Sequence, residues 1–206
     1  SANGQVWVIN PNGFLAGPNA DINVGGFLAS TLELSDQDFL DGNYAFRNNV
    51  SVGSILNRGE IQGGYVALLS PSITNEGMIQ ASRGTVALAS GEQVTLNFTG
   101  NDLVGFVVDL GTVSSAGISN LGTLSGNSVL LTAKGASGAL RSVVNNTGVI
   151  EARSIRERNG EIVLAGDELT NMGLVDASGI HGGTIRIDGG FVSLGGTISA
   201  DGRSQG

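Results

Sequence analysis

The sequence has no cysteine, only 3 prolines, one lysine (Lys134), one histidine (His181), and aromatic residues at 5%. Without cysteine there is no disulfide framework and no thiolate metal site, so stability has to come from packing and hydrogen bonds. Scarce proline beside 34 glycines separates the chain from disordered low-complexity segments, in which the two rise together. A single lysine and a net charge of −8 leave no positive footprint for displacing the counterions of a phosphate backbone, which excludes nucleic acid as a partner. Apolar runs no longer than a short strand give no helix that inserts into a membrane. Nothing implies a cofactor.

What the chain does have is a repeat. GTLSGNSVLLTA, NTGVIEARSIRERNGEIVLAG, NMGLVDASGIHGGTIRIDG and LGGTISADG run from Gly122 to Gly202, with anchor glycines Gly122, Gly148, Gly173 and Gly196 spaced 26, 25 and 23 residues apart. Self-similarity at this period, with apolar residues alternating inside each unit, marks a solenoid of stacked strands. Ile61, Ile79, Leu124, Ile150, Val175 and Ile198 head one strand, and Ala81, Ala152, Ala177 and Ala200 follow two residues on. Period-two alternation turns these inward and leaves Gln62, Gln80, Ser125, Glu151, Asp176 and Ser199 in water. A second strand alternates through Val66/Leu68, Val86/Leu88, Val129/Leu131, Ile162/Leu164 and Ile185/Ile187. A short third strand, as at residues 93–96 and 168–170, returns the chain to the next corner. Three strands per coil predict an all-β fold, a three-sided parallel β-helix forming one domain over residues 1–206, with roughly nine coils at ~23 residues each.

Asn57, Asn75, Asn120, Asn146 and Asn171 each stand two residues before an anchor glycine. Asparagine tolerates left-handed turn geometry and glycine takes positive φ, so the pair predicts a corner turn at each coil. Stacked coil upon coil, the five side chains form an amide ladder along the axis, a structural role that needs no ligand.

Two segments break the period. In residues 35–49, SDQDFLDGNYAFRNN, Ser35 can cap a short helical turn with Asp36 and Asp38 at its start, or the segment forms an extra hairpin on the flank of the helix. Asp36, Asp38 and Asp41 fall one residue out of step with a calcium loop and lack its closing glutamate, so a solvated acidic loop is the simpler reading. Residues 91–109 supply strands for a degenerate coil, through Val94/Leu96/Phe98 and Val104/Phe106/Val108, with Phe98 and Phe106 stacked along the axis. Arg153, Arg156 and Arg158, interleaved with Glu151, Glu157 and Glu161, read as a solvated corner.

A β-helix can also be a polysaccharide-cleaving enzyme. That chemistry needs paired carboxylates, or carboxylates around calcium with a basic residue as the base. Glu151 and Asp176 share a column on neighbouring coils, and Asp167, Glu168 and Asp188 lie near another corner. Yet the aromatic platforms of a sugar groove are missing, and His181 has no acid–base partner implied by its glycine-rich surroundings. The reading is therefore non-enzymatic, with a carbohydrate-active enzyme and an inert spacer as the alternatives.

The first 46 residues carry the most specific local sequence. Val8-Ile9-Asn10-Pro11-Asn12-Gly13 comes first, then Ala20-Asp21-Ile22-Asn23-Val24-Gly25-Gly26, then Ala29-Ser30-Thr31-Leu32, then Asp38-Phe39 and Phe46. In order and spacing these resemble the secretion domain of the filamentous-haemagglutinin family, the large exported partners of bacterial two-partner secretion. Phe14 stands where that family usually has isoleucine. The resemblance is close over residues 1–110 and continues as regular β-helix repeats over 111–206. It implies a chain that leaves the periplasm through a dedicated outer-membrane β-barrel transporter, which reads the secretion domain, and that folds at the cell surface into a right-handed β-helix forming the base of an adhesin-type filament. It also implies a role for Asn10, Pro11, Asn12 and Gly13 in partner recognition or fold nucleation, and host-cell or surface glycans as partners of the rest of the parent. The family's secretion domains open with a cap and an earlier Asn-Pro-Asn motif, and this chain begins beyond both and ends within a repeat. We therefore expect a piece of a longer chain.

Overall fold

A computed structural model describes residues 2–47, 53–82, 84–112, 117–136, 141–152 and 159–203. After β1 (Ala2–Ile9), the first coil consists of β2 (Phe14–Ala16) and the two halves of β3 (Asp21–Ser30). Then α1 (Asp36–Leu40) and β4 (Ala45–Arg47) leave the coil. The second coil is β5 (Ser54–Asn57), β6 (Glu60–Gly63) and β7 (Val66–Leu69), and the third is β8 (Ser72–Asn75), β9 (Met78–Ala81) and β10 (Thr85–Ser90). A second departure follows, β11 (Gln93–Thr99) and β12 (Asp102–Leu110). The fourth coil is β13 (Gly117–Asn120), β14 (Thr123–Gly126) and β15 (Ser128–Ala133). The fifth is β16 (Val143–Asn146), β17 (Val149–Ala152) and the first half of β18 (Glu161–Asn171). The rest of β18, β19 (Leu174–Asp176) and the first half of β20 (Thr184–Leu194) make the sixth, and the end of β20 with β21 (Thr197–Ser199) begins another.

The molecule is thus a parallel β-helix with six complete coils among the described residues, not the roughly nine that its length suggests. The difference lies in the two departures, whose residues do not wind. The first strand of each coil stacks into face one, the second into face two and the third into face three, and β1 heads face three.

Parallel register turns sequence alternation into columns. On face two Ile22, Ile61, Ile79, Leu124, Ile150, Val175 and Ile198 succeed one another directly. On face three the column is Phe27, Val66, Val86, Val129, Ile162 and Ile185. These side chains meet in one continuous core, which fades at the last coil, where Ile198 is 40% exposed.

The corner between faces one and two corrects the expectation of left-handed turns. Among the described residues no non-glycine has positive φ, and the positive-φ glycines are Gly13, Gly42 and Gly100, not the anchors. The anchors are glycine because the coils touch there. A Cβ on Gly122 would lie 2.0 Å from the carbonyl oxygen of Gly77, and one on Gly148 would lie 2.1 Å from that of Gly122. The same carbonyls accept the ladder bonds that join coils, from Thr123 N–H at 2.9 Å and Val149 N–H at 2.9 Å.

Just before this corner, Asn57, Asn75, Asn120, Asn146 and Asn171 point inward and are completely buried. Each of the first four amide nitrogens donates to the Oδ1 of the next coil's asparagine: Asn57 to Asn75, Asn75 to Asn120 and Asn120 to Asn146 at 2.8 Å each, and Asn146 to Asn171 at 2.7 Å. The row has one sense and defined ends. In the same register Ala16 precedes Asn57 and Leu194 follows Asn171. At the start, the Asn57 Oδ1 accepts instead from the Gly59 N–H of its own corner, at 3.1 Å.

Residues 91–109 do not supply a coil. They form an antiparallel hairpin, β11 with β12, joined by β4 on the other edge of β11. This small sheet lies over the outside of face three and buries Phe46, Val94, Leu96, Leu103 and Val108 against Leu28, Ala67, Leu69, Ala87 and Ala89. Phe98 and Phe106 pack in this outer cluster, away from the axis. Covering both sides explains why β7 reads VALL and β10 TVALAS, buried at every position, whereas uncovered β15 alternates. Against the coil, Lys134 Nζ donates to the carbonyls of Val108 at 3.1 Å and Asp109 at 2.9 Å, and Thr85 Oγ1 donates to Leu103 O at 2.7 Å. These bonds satisfy carbonyls of β12, the outer strand of the small sheet.

Two stability measurements test this account. Asn120→Ala leaves a donor on Asn75 and an acceptor on Asn146 buried without partners, so chemical denaturation should show a loss on the order of 2–5 kcal/mol; a loss under ~1 kcal/mol would contradict the ladder. Gly122→Ala should cost at least ~2 kcal/mol through backbone overlap, while Gly105→Ala, where a Cβ meets nothing within 4 Å, should be nearly neutral. Equal effects would show that coil contact is not what requires glycine at the anchor.

Candidate functional site

Residues 10–13 connect β1 to β2 at the corner between faces three and one. Gly13 N–H donates to the Asn10 carbonyl at 3.0 Å, and Asn12 N–H donates to the Asn10 Oδ1 at 3.2 Å. The first bond closes a four-residue turn, and the second is the local side-chain bond that suits asparagine to its first position. Pro11 presets φ for the next position, and Gly13 takes φ of 125°, which side chains rarely adopt. Asn10 N–H donates to Ser30 O at 2.9 Å, tying the turn to the first coil. A Cβ on Gly53 would sit 2.2 Å from the Pro11 carbonyl oxygen, so the second coil passes directly beneath. Asn10 and Asn12 are exposed and Pro11 is half-buried.

The support under the turn is polar, buried and satisfied. Thr31 Oγ1 donates to Ser70 Oγ at 3.0 Å, and Ser70 Oγ donates to Gly53 O at 3.0 Å. Ser30 Oγ accepts from Leu32 N–H at 2.9 Å and donates to Leu32 O at 2.8 Å. One coil on, Ser90 Oγ donates to Pro71 O at 2.6 Å. Hydroxyls at this corner do for the backbone what strand pairing does along the faces.

Both departures from the coil also leave from this corner, since α1 with β4 joins β3 to β5 and the hairpin joins β10 to β13. Insertions placed at this corner leave the glycine corner between faces one and two free to stack. In the first departure Ser35 caps α1, accepting from Asp38 N–H at 3.0 Å and donating to Asp38 Oδ2 at 2.8 Å. Asn43 Nδ2 donates to Asp38 Oδ1 at 2.7 Å, Arg47 pairs with Asp38 at 3.3 Å, and Gln37 Nε2 donates to Asp41 Oδ2 at 2.8 Å. These donors occupy Asp38 and Asp41, two of the three carboxylates considered for calcium, and no cluster of three acidic or histidine side chains that could hold a metal occurs among the described residues. The Ser35 hydroxyl first, then Asn43 and Arg47, hold the Asp38 carboxyl below its usual range.

Trp7, three residues before the turn, points outward into an aromatic cluster that sequence reasoning missed. Its Nε1 donates to the Tyr65 hydroxyl at 2.8 Å, and that hydroxyl donates to Gln5 Oε1 at 3.1 Å. Phe39 and Tyr44 meet the indole edge-on with ring centroids at 5.4 and 5.3 Å, and Phe98 stacks on it at 6.1 Å. Burial raises the Tyr65 phenol pKa against the lowering effect of the Trp7 bond. The ring also explains Gly26, where a Cβ would be 2.3 Å from Tyr65 Cε1. One signal was in the sequence: Tyr65 is an aromatic at the head of a strand where the other coils carry Gly26, Thr85, Ser128, Glu161 or Thr184.

The other candidates are not brought to the turn. The amide ladder runs along the far end of face one, and the turn's own coil places Ala16 in that column. Glu151 and Asp176 are register neighbours on face two, where the Asp176 Oδ1 accepts from Ser178 N–H at 2.8 Å. At the corner between faces three and one, Asp167 accepts from Ser142 N–H and Oγ at 3.0 and 2.9 Å, and Glu168 pairs with Arg141. Asp188 pairs with Arg186 on face three at 3.0 Å. Glu151 and Asp176 therefore stay side by side on face two, as their column predicts, apart from Asp167 and Glu168 at the corner and Asp188 on face three. His181 is exposed at the corner between β19 and β20. Arg153, Arg156, Glu157 and Arg158 lie outside the described residues.

A family model described as the TPS secretion domain matches residues 1–187. A heme/hemopexin-binding protein of Haemophilus influenzae strain Rd is 33% identical over 179 residues, covering 82% of this chain and 20% of that protein. A second heme/hemopexin-binding protein from Haemophilus influenzae is 30% identical over 206 aligned residues, covering 88% of this chain and 22% of that protein. The crystal structure of the HMW1 secretion domain from Haemophilus influenzae superposes with a TM-score of 0.69 at 26% identity, over 98% of this chain and 66% of that one. The chain spans about a fifth of the length of the curated relatives it matches.

The Asp38 cage predicts an acid transition. Its folded pKa lies below the ordinary 3.8, so its contribution to the order of α1 is present above that value and lost as pH falls through the folded value. Trp7 fluorescence should stay constant from neutral pH to about 4 and change below it, and Asp38→Asn should remove or shift that change. An identical midpoint in the variant would exclude Asp38 as its origin.

Proposed function

Because the chain belongs to the TPS secretion domain family, the secretion domain of exoproteins that are exported by two-partner secretion, we propose that its outer-membrane transporter reads the corner carrying Asn10, Pro11, Asn12 and Gly13. Proteins with this domain are secreted through the two-partner pathway to the cell surface or beyond, and the domain engages the outer-membrane transporter. No helix among the described residues is long and apolar enough to cross a membrane.

The observation that carries the assignment is a rigid turn with exposed polar side chains. Backbone and side-chain bonds fix residues 10–13, buried hydroxyls support them, and Asn10 and Asn12 nevertheless face solvent. The bonds that close the turn lie within residues 10–13, so its shape can be set locally before the coil winds, and a surface set before encounter loses little entropy on binding. The chain itself carries no catalytic role in this reading. The parent presents an adhesin-type β-helix at the cell surface, with surface glycans among its targets, and the name borne by its relatives makes heme or a heme carrier another.

Replacing Asn10 and Asn12 together by alanine, in the full-length exported protein, tests the turn. Surface levels should fall several-fold while the thermal midpoint of the purified chain drops by only a few degrees, since one local side-chain bond is lost. Normal surface levels would remove these residues from the recognition site. A collapse in thermal stability would reassign them to the fold.

A further inference from the structure

We infer that Lys134, the chain's one lysine, is a clasp that closes the β11–β12 hairpin over face three, so that the second interior is completed only once the fourth coil has wound. The inference concerns the order of assembly and stands whether or not a partner reads the turn at residues 10–13.

Four hydrogen bonds converge on this one residue, and they reach both legs of the hairpin. Its N–H donates to Ser90 O at 2.9 Å, where β10 ends and the chain departs. Its carbonyl accepts from Thr112 N–H at 3.0 Å, where the chain returns. Its Nζ donates to Val108 O at 3.1 Å and Asp109 O at 2.9 Å, on β12 itself. Gly135 continues the contact: a Cβ on Gly111 would lie 2.2 Å from its carbonyl oxygen. An ammonium on a long stem brings three donors to carbonyls that a backbone group does not reach. Lys134 is itself exposed, so it fills no core.

The two edges of the small sheet are fastened differently. On one edge β4 pairs with β11, and Arg47 exchanges backbone bonds of 2.8 Å in both directions with Glu33 at the exit of the first coil. On the other edge β12 pairs, among the described strands, with β11 alone. Side chains hold it to the coils, Thr85 Oγ1 on Leu103 O and Lys134 on Val108 and Asp109. A hairpin without its clasp is therefore hinged on the β4 side, with β12 as the loose edge. Chain order does the rest. Thr85, β4, β11 and β12 all precede the fourth coil, whereas Lys134 directly follows β15 and is placed by the pairing of β15 with β10. Full burial of Leu103 and Val108, both on β12, thus waits for a residue further along the chain.

Hydrogen exchange of the intact purified chain, read by mass spectrometry, tests the clasp. Lys134→Met keeps the backbone bonds and most of the stem but removes the charged donor. Amides of β12 should then exchange about tenfold faster, while those of β5 to β8 stay within twofold. Exchange in β12 within twofold of the unmodified chain would overturn the clasp. Equal acceleration in every strand would overturn it too, by making Lys134 a general stabiliser. Pulsed exchange during refolding tests the order: β12 should become protected with β15 or after it, although it comes earlier in the chain. Protection of β12 ahead of β15 would show that closure does not wait for the fourth coil.

Discussion

Coil-to-coil contact at the glycine corner is the constraint from which the rest of the molecule follows. The carbonyl of one anchor glycine occupies the space where a Cβ of the next would be, and accepts the N–H of the residue after it. That pairing leaves no room for drift, so every coil starts face two in the same place. Register then carries around the perimeter: isoleucine falls on isoleucine, valine on valine, and asparagine on asparagine. A one-residue slip would turn the inward columns outward and leave five buried amides without partners.

With the corner between faces one and two committed to close stacking, both departures from the coil leave between faces three and one. Hydroxyl-to-backbone bonds hold that corner, and they tolerate long departures that a glycine contact would not. The two departures are unlike each other. One is a short capped helix fastened around Asp38, and the other is a hairpin whose small sheet turns the outside of face three into a second interior. This second layer changes the composition of the strands beneath it, and it draws most of the few aromatic residues to one flank near the turn.

The coil was legible in the sequence because its physics is local and repeated. Alternation gave the inward columns, and the recurring Asn-x-Gly placed the corners. The reason for glycine was not legible, since a corner that needs positive φ and a corner that needs bare backbone look alike until the neighbouring coil is in place. Residues 91–109 misled for a related reason: Val94, Leu96, Val104 and Val108 alternate as any strand does, and alternation does not say whether a strand pairs in parallel within the coil or antiparallel outside it. The best available clue was the unalternated apolar run in β7, VALL, and in the VALA of β10, which marks a strand covered on both sides. At the candidate site, the turn residues announced themselves by type. The Trp7–Tyr65 bond joins residues 58 apart, a distance that no local pattern spans.

The amide row makes the two ends of the prism chemically unequal. At its leading end the Asn57 oxygen is quenched by the Gly59 N–H of its own corner, so that end closes upon itself. At the trailing end the Asn171 amide nitrogen reaches, among the described residues, only the Gly173 carbonyl at 3.4 Å, and the neighbour above it is leucine. Fraying of trailing coils would therefore expose a hungry donor, whereas loss of leading ones would leave an oxygen that its own backbone can placate. Polarity of this kind gives the stack a preferred direction of unzipping, written in nothing more than which way five carboxamides face.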